Sequence, residues 1–353
     1  MNTLFNRQAY AIWGPVKEIT SSLPFLTGGS VSGLNLIDAS TFGWPFIDYF
    51  NPPEKDNKTA SDLRIEFNIE KDFSKHKNKA EIKIYNLRSD KYLITEDENE
   101  TQYKVYLFIG HGEAKHRLFV GDIECSSYEK IGPNWVFTIK ANDCQSVTEE
   151  TVLNKSYASG GSLKNALLDM LNTVGEKSKN AKKKFFVKNA VKWIGDNVSN
   201  TLKIGSGLAV TGKLIDQFEK LMKEIDAKIS TQDDKIEIIW ENSNNKNDIV
   251  LLSPNSGLIG SPKRKNNNYI EFKSLLIPII SPGGLVKIES RNINDYYRIE
   301  KINYVGDTHG RSWECRCDGI RPSNIDTTPS EIQYYEVQNN IATEDEATVI
   351  GNA

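Results

Sequence analysis

From Leu63 to Glu70 the chain reads Leu-Arg-Ile-Glu-Phe-Asn-Ile-Glu, apolar at every second position. An extended strand turns successive side chains to opposite faces. This octapeptide therefore puts Leu63, Ile65, Phe67 and Ile69 on one face and polar groups on the other, a pattern that a helix would scatter. The same period recurs at Ala80, Ile82 and Ile84, at Val105, Leu107 and Ile109, and at Trp135, Phe137 and Ile139. Gly110-His111-Gly112 and Lys130-Ile131-Gly132-Pro133-Asn134 fall between these runs as hairpin punctuation. Short alternating strands this close together predict a small antiparallel barrel or sandwich over residues 59–150.

The period changes over residues 151–248. Ser162 suits a helix N-cap, Leu163, Ala166, Leu167, Met170, Leu171 and Val174 follow at helical spacing, and Gly175 predicts the stop. A second amphipathic stripe holds Leu214, Ile215, Phe218, Leu221, Met222 and Ile225, with Glu219, Lys220, Lys223 and Glu224 outside. Lys228 to Trp240 reads as a hairpin about a Gln-Asp-Asp turn. Together these make a small α+β unit. Alternation returns over 249–321. Ile249 to Leu252 opens it, then come Leu285 to Glu289 behind Pro282-Gly283-Gly284, and Tyr297 to Ile302. Trp313 to Asp318 closes it, with Trp313, Cys315 and Cys317 on one face.

Composition narrows the function classes. The 353 residues carry 44 Lys+Arg against 47 Asp+Glu, a net charge of −3, which is not the basic balance of a general nucleic-acid binder. Four Cys make no disulfide framework and fit a reduced compartment. There is no run of apolar residues long enough for a membrane span, and Met1 to Ile12 lacks the basic-then-apolar layout of a secretory signal. The expectation is a soluble, multidomain chain that is intracellular when made.

Local charge is less even. Between Ile19 and Ile47 the only charged residue is Asp38, and Gly and Pro interrupt the apolar residues, so one long helix is excluded. This stretch, inserted at about 16–58, reads either as a loop packed on its own domain or as a contact surface for another chain. In the second reading Leu34, Phe42, Trp44, Phe46, Tyr49 and Phe50 are the candidate contact residues. Residues 176–193 hold seven Lys and one Glu, a net of +6. Phe186, Val187, Ala190, Val191 and Ile194 fall on one side of a helix there. A solvated, partly mobile insertion, a membrane-surface helix and a nucleic-acid patch all fit that segment. Residues 322–353 carry six acidic groups and no Lys or Arg, a frayed tail or a docking arm anchored by Tyr334-Tyr335.

The search for chemistry is largely negative. Cys315-Arg316-Cys317 has no second ligand pair, so two buried structural thiols are the better reading than a zinc site, and Cys125 and Cys144 are isolated. His111, Glu113 and His116 lie on a hairpin tip at a spacing that no rigid helix converges. Asp307-Thr308-His309-Gly310 reads as a turn between strands, and His76 has no candidate partner nearby. No nucleophile elbow, phosphate loop, dinucleotide fingerprint or metalloprotease helix occurs. No catalytic, cofactor or metal residue is assigned.

An ordered set of segments supplies a resemblance. The alternating strand Asp62 to Lys71 precedes Lys79-Ala80-Glu81-Ile82-Lys83-Ile84-Tyr85-Asn86-Leu87. Leu118-Phe119-Val120-Gly121-Asp122-Ile123 and Ile139-Lys140-Ala141-Asn142-Asp143 follow. Later come Leu251 to Pro262, Ser274 to Pro278, Pro282 to Ser290 and Gly306 to Gly310. This set resembles the baseplate or tail-tip hub proteins of tailed bacteriophages and phage-tail-like particles, the late control protein D-like hubs, over about residues 59–320. The resemblance implies a mainly β chain with α+β insertions, two small antiparallel β-barrels flanking a helix-containing middle region. It places the first barrel in 1–150, the insertion region in 151–248, the second barrel in 249–321 and the acidic tail in 322–353. It implies a non-enzymatic homotrimer that adapts a sixfold tail tube to a threefold spike or tip. The implied partners are further copies of itself, the tube protein above, the spike or tip protein below, other baseplate components and the tape measure protein. No nucleic acid is implied as a specific ligand. The implied location is the virion tail, after assembly in the host cytoplasm. The segments at 16–58 and 176–193 depart from the family pattern as insertions. Two rivals stay open: a tail-associated peptidoglycan hydrolase and a membrane-surface protein acting through 176–198.

Overall fold

The computed structural model describes residues 7–15, 63–73, 78–87, 103–111, 114–143, 151–176, 181–233, 235–243, 249–266 and 268–323. Six strands come first: β1 (Arg7–Pro15), β2 (Ile65–Asp72), β3 (Lys79–Tyr85), β4 (Tyr103–His111), β5 (Ala114–Ile131) and β6 (Asn134–Asn142). The middle follows as β7 (Val152–Tyr157), α1 (Leu163–Glu176), α2 (Ala181–Asn197), β8 (Leu208–Lys213), α3 (Leu214–Lys223), β9 (Ala227–Gln232) and β10 (Lys235–Trp240). The last strands are β11 (Val250–Leu252), β12 (Leu258–Arg264), β13 (Tyr269–Leu275), β14 (Leu285–Glu289), β15 (Asn294–Asp307) and β16 (Trp313–Ile320).

The alternating runs became strands with the faces that the period dictates. In β2, Ile65, Phe67 and Ile69 are buried and Asn68 and Glu70 exposed. In β16, Trp313, Cys315 and Cys317 are buried between polar neighbours. Each fully buried Ile or Phe contributes roughly 1.5–3 kcal/mol over its exposed form, so the inward set drives the fold.

The two β stretches are not separate bodies. Twelve strands form one sheet in the order β1-β4-β5-β6-β3-β2-β15-β16-β13-β12, and β14 branches from β15 and carries β11. A single hydrophobic core runs through both stretches, from Ala9 and Trp13 to Trp313 and Cys317. The expectation of two small barrels is met only in its β content. Among the described residues neither stretch closes on itself through strand pairing, because β1 pairs only with β4 and β12 only with β13. The all-antiparallel expectation also differs at one pair, since β11 runs parallel to β14. The physical reason lies in β15. Its 14 residues are long enough to pair with β14 at one end, with β2 at the other and with β16 alongside, and a bulge between Ile299 and Lys301 bends it between those tasks.

The middle region builds its own core. Leu167, Met170 and Leu171 of α1, Ala190 and Ile194 of α2, and Phe218 and Met222 of α3 pack with Ile229 and Ile236 of the β9–β10 hairpin. The Ser162 hydroxyl accepts the Asn165 N–H at 3.4 Å, as an N-cap does. The predicted stop at Gly175 differs by one residue, since the helix includes Glu176. The lysine-rich segment differs more. Val187, Ala190 and Ile194 are buried against the rest of the unit, so the side that a membrane-surface helix would insert faces a protein core. No helix among the described residues is long and apolar enough to cross a membrane.

Candidate functional site

The feature that organises this molecule is the seam where β2 pairs with β15, from Lys301 opposite Asp72 to Asp307 opposite Glu66. It joins residues more than 200 positions apart. Polar groups secure both of its ends.

At one end β15 turns into β16 through Asp307-Thr308-His309-Gly310. The Asp307 carboxylate accepts Arg64 Nε at 3.2 Å and Nη2 at 2.8 Å, a forked pair across the seam. Its Oδ1 also accepts the His309 backbone N–H at 3.0 Å, which tightens the turn. The Ile65 N–H donates to the Thr308 hydroxyl at 3.0 Å, and the Thr308 N–H to the Ile65 carbonyl at 3.1 Å. Arg64 also contacts Glu66 and lies over the Tyr85 ring, 4.7 Å from its centroid. The hydrogen bond to Asp307 holds the guanidinium pKa above its ordinary value. A Cβ at Gly310 would fall 2.0 Å from Asp307 Oδ2, so the turn needs glycine there. Beside the clasp lies a cavity of about 440 Å³ whose lining includes Glu66, Asn68, Glu81, Lys83 and Ser312. Lys83 and Glu81 pair across 3.0 Å.

At the other end the β9–β10 hairpin of the middle unit docks on the sheet. The buried Asn78 side chain has three acceptors around its amide nitrogen: Asp143 Oδ2 at 3.1 Å, the Thr231 carbonyl at 3.1 Å and Gln232 Oε1 at 2.9 Å. Its Oδ1 accepts the Asp72 N–H at 3.0 Å. The Asp233 N–H donates to Asp143 Oδ2 at 2.6 Å, and Gln232 Nε2 reaches the Asp72 carbonyl at 3.2 Å. Lys71 occupies the fourth inward position of β2, where alternation calls for an apolar residue. It is 3% exposed, and its ammonium meets Asp233 at 2.7 Å. Beyond the hairpin, Arg298 of β15 is 1% exposed. It donates through Nη1 to the Glu241 carbonyl at 2.6 Å and the Ser243 carbonyl at 2.5 Å, and pairs with Glu300 through Nε at 2.8 Å. Tyr297, Arg298 and Ile299 are all buried, because the middle unit covers the second face of β15 there.

These groups tie backbone to backbone, and their donors and acceptors face one another. Buried polar groups left unpaired cost about 1–3 kcal/mol each, so this pairing holds the middle unit and both β stretches in one relative position.

The contact candidates Leu34, Phe42, Trp44, Phe46, Tyr49 and Phe50 lie outside the described residues, as do His76, Glu113, Cys144 and the acidic tail from 324 on. His116 is exposed on β5, and His309 is exposed in the turn. Cys315 and Cys317 are buried, and burial pushes the Cys315 thiol up to about 12 and Cys317 well above its ordinary value. Cys125, expected to be structural, is exposed, because β5 shifts register against β6 between Ile123 and Cys125. Among the described residues no three His, Cys, Asp or Glu side chains are grouped to hold a metal ion. The reading from periodicity missed Arg64, Lys71, Asn78, Asp143 and Arg298. Lys71, breaking the apolar face of its own strand, was the one signal that pointed to them.

No family model matches this chain, and no curated protein matches it. Solved structures do. A prophage tail protein from Shewanella oneidensis aligns at 10% identity over 74% of this chain and 98% of its own, with a TM-score of 0.46. A tail protein from Neisseria meningitidis aligns at 8% identity over 72% and 91%, with a TM-score of 0.44. A component of the Escherichia coli type VI secretion system, described as structurally similar to T4 bacteriophage tail proteins, aligns at 9% identity over 74% of both chains, with a TM-score of 0.47.

Proposed function

We propose that this chain is a structural hub of a phage tail baseplate or tail tip, acting as a homotrimer that adapts a sixfold tube to a threefold spike or tip. The observation that supports this most is the seam. Two β stretches that are far apart in sequence are joined edge to edge, and the α+β unit between them is pinned to the junction by buried polar groups. A part that presents two β units to a ring must hold them at one mutual angle, and this arrangement does so. Three copies then offer six such units to the tube. The ordered segments between Asp62 and Gly310 carry the same reading from the sequence.

In this role the chain performs no catalysis and takes no cofactor. It meets further copies of itself, the tube protein, the spike or tip protein, the tape measure protein and other baseplate components. It resides in the virion tail after assembly in the host cytoplasm. The uncharged stretch 19–50, with Phe42, Trp44 and Phe46, supplies a contact to a neighbouring tail component. Cells making particles without this chain should yield no tails, or tubes lacking a tip. Intact, infectious tails from such cells would overturn the proposal. Deleting residues 20–50 should block tail assembly while the isolated protein keeps its circular dichroism spectrum. Clearing of peptidoglycan by the purified protein would favour the hydrolase rival instead.

A further inference from the structure

The middle unit and the large sheet meet through a joint that neither core crosses. Their two hydrophobic cores share no residue. Among the described residues no strand of the large sheet pairs with β7, β8, β9 or β10, so no backbone ladder runs between the two parts. What crosses is polar. From the hairpin, Thr231, Gln232 and Asp233 reach Asn78, Asp143, Lys71 and the Asp72 carbonyl. Further along, Lys228 Nζ lies 3.4 Å from Glu300, and Arg298 donates to the carbonyls of Glu241 and Ser243. Lys71, Asn78, Asp143, Thr231, Gln232 and Arg298 are all buried.

A hydrophobic core stays closed because water offers its side chains nothing in exchange. This joint differs. Each of its donors and acceptors finds a substitute in water, and an ion pair taken out of water returns little net stability. Parting the two surfaces therefore costs far less than opening either core. The β2–β15 ladder from Lys301 to Asp307 is backbone pairing and uses none of these side chains. The two β stretches thus keep their mutual angle when the joint parts.

We infer that the joint is a latch, from which the middle unit swings off the sheet as one body in a minor state with both cores still folded. Release uncovers Lys71, Asn78, Asp143 and Arg298 on the sheet, and Thr231 and Gln232 on the hairpin. The fold in this way separates a fixed part, the continuous sheet, from a part that changes position.

The test uses full-length protein under native conditions, with one reporter on each side of the joint. The Asp233 amide, bonded to Asp143, is read by hydrogen exchange, and the Lys71 amine, 3% exposed, by acylation. Buried Cys315 and Cys317 report loss of the sheet core through a thiol reagent, and the Phe218 amide reports loss of the middle core. The opening constants from Asp233 and Lys71 should agree, and should exceed those from Phe218 and the two thiols by at least about 100-fold. Lys228→Met removes the pair with Glu300, at the other end of β9 from Asp233. It should raise both opening constants together, by about two- to fivefold, and leave Phe218 and the thiols unchanged. Opening at Asp233 and Lys71 no greater than that of the cores would overturn the inference, since the joint would then part only with unfolding. So would a Lys228→Met protein in which neither reporter moves, or one moves without the other, which is fraying at one end and not a latch.

Discussion

Gly306 tests the seam at its tightest point. It stands opposite Phe67 on β2 and opposite Trp313 on β16, and the Phe67 and Trp313 rings meet edge to face with centroids 5.6 Å apart. A Cβ at position 306 would lie 2.1, 2.5 and 2.8 Å from three carbons of the Phe67 ring, closer than real Cβ atoms come. The ring lies over the glycine, so Gly306→Ala must displace it from its buried position between β15 and β16. Overpacking of this kind costs about 1–3 kcal/mol, and disturbing the aromatic pair adds about 0.5–1.5 kcal/mol. Gly306→Ala should therefore lower unfolding stability by roughly 2–4 kcal/mol, read as a lower urea midpoint by circular dichroism. Phe67→Leu removes the ring that the methyl would strike. The double variant should then be more stable than the sum of the single changes predicts, by at least about 1 kcal/mol. A Gly306→Ala protein within about 0.5 kcal/mol of the parent would refute the packing across the seam. So would strictly additive effects in the double variant.

Three further outcomes follow. Asn78→Ala removes a donor from Asp143 Oδ2, the Thr231 carbonyl and Gln232 Oε1 and an acceptor from the Asp72 N–H, and should cost about 2–3 kcal/mol. Hydrogen exchange should accelerate at Thr231 and Gln232 but not at Leu107, and unchanged exchange at Gln232 would count against the docking network. A thiol reagent near pH 8 should modify exposed Cys125 and spare Cys315 and Cys317, whose thiols burial keeps protonated. Labelling of Cys315 in the folded protein would contradict the packing of β16. The Asp169 carboxylate accepts Lys155 Nζ and Tyr157 Oη, each at 2.8 Å, and the bond from Lys155 holds its pKa below the ordinary 3.8. A lowered carboxylate pKa stabilises the fold above the unfolded value, and that contribution fades as pH falls below about 3.8. Asp169→Asn should thus be the less stable protein at pH 7, by under about 1 kcal/mol because the pair is half-exposed, and the gap should shrink below pH 3.8.

Much of the local structure was legible in the residues. Leu63 to Glu70 and Trp313 to Asp318 alternate because one face of each is buried, and that is visible without a partner strand. The stripes beginning at Leu163 and Leu214 became α1 and α3 for the same reason. What periodicity does not encode is which strand meets which. Gly306 and Phe67 are neighbours only because β15 is long enough to pair with both ends of the chain, and nothing at position 306 states that. The second face of β15 was hidden likewise. Arg298 reads as a solvent-facing residue of an alternating strand until the β9–β10 region covers it and supplies two carbonyls. Val187, Ala190 and Ile194 show the converse, since lysines around them suggested a surface helix where the fold has a core helix. The candidate contact residues between Leu34 and Phe50 fall outside the described residues.

The hub reading is tested most directly by a three-dimensional map of the assembled particle at the junction of tube and tip, averaged without imposed symmetry. The prediction is three copies of this chain in a closed ring, their two β stretches alternating to give six similar β units against the tube, with threefold symmetry below. A particle that lacks the chain at this junction, or a ring holding some other number of copies, would contradict it.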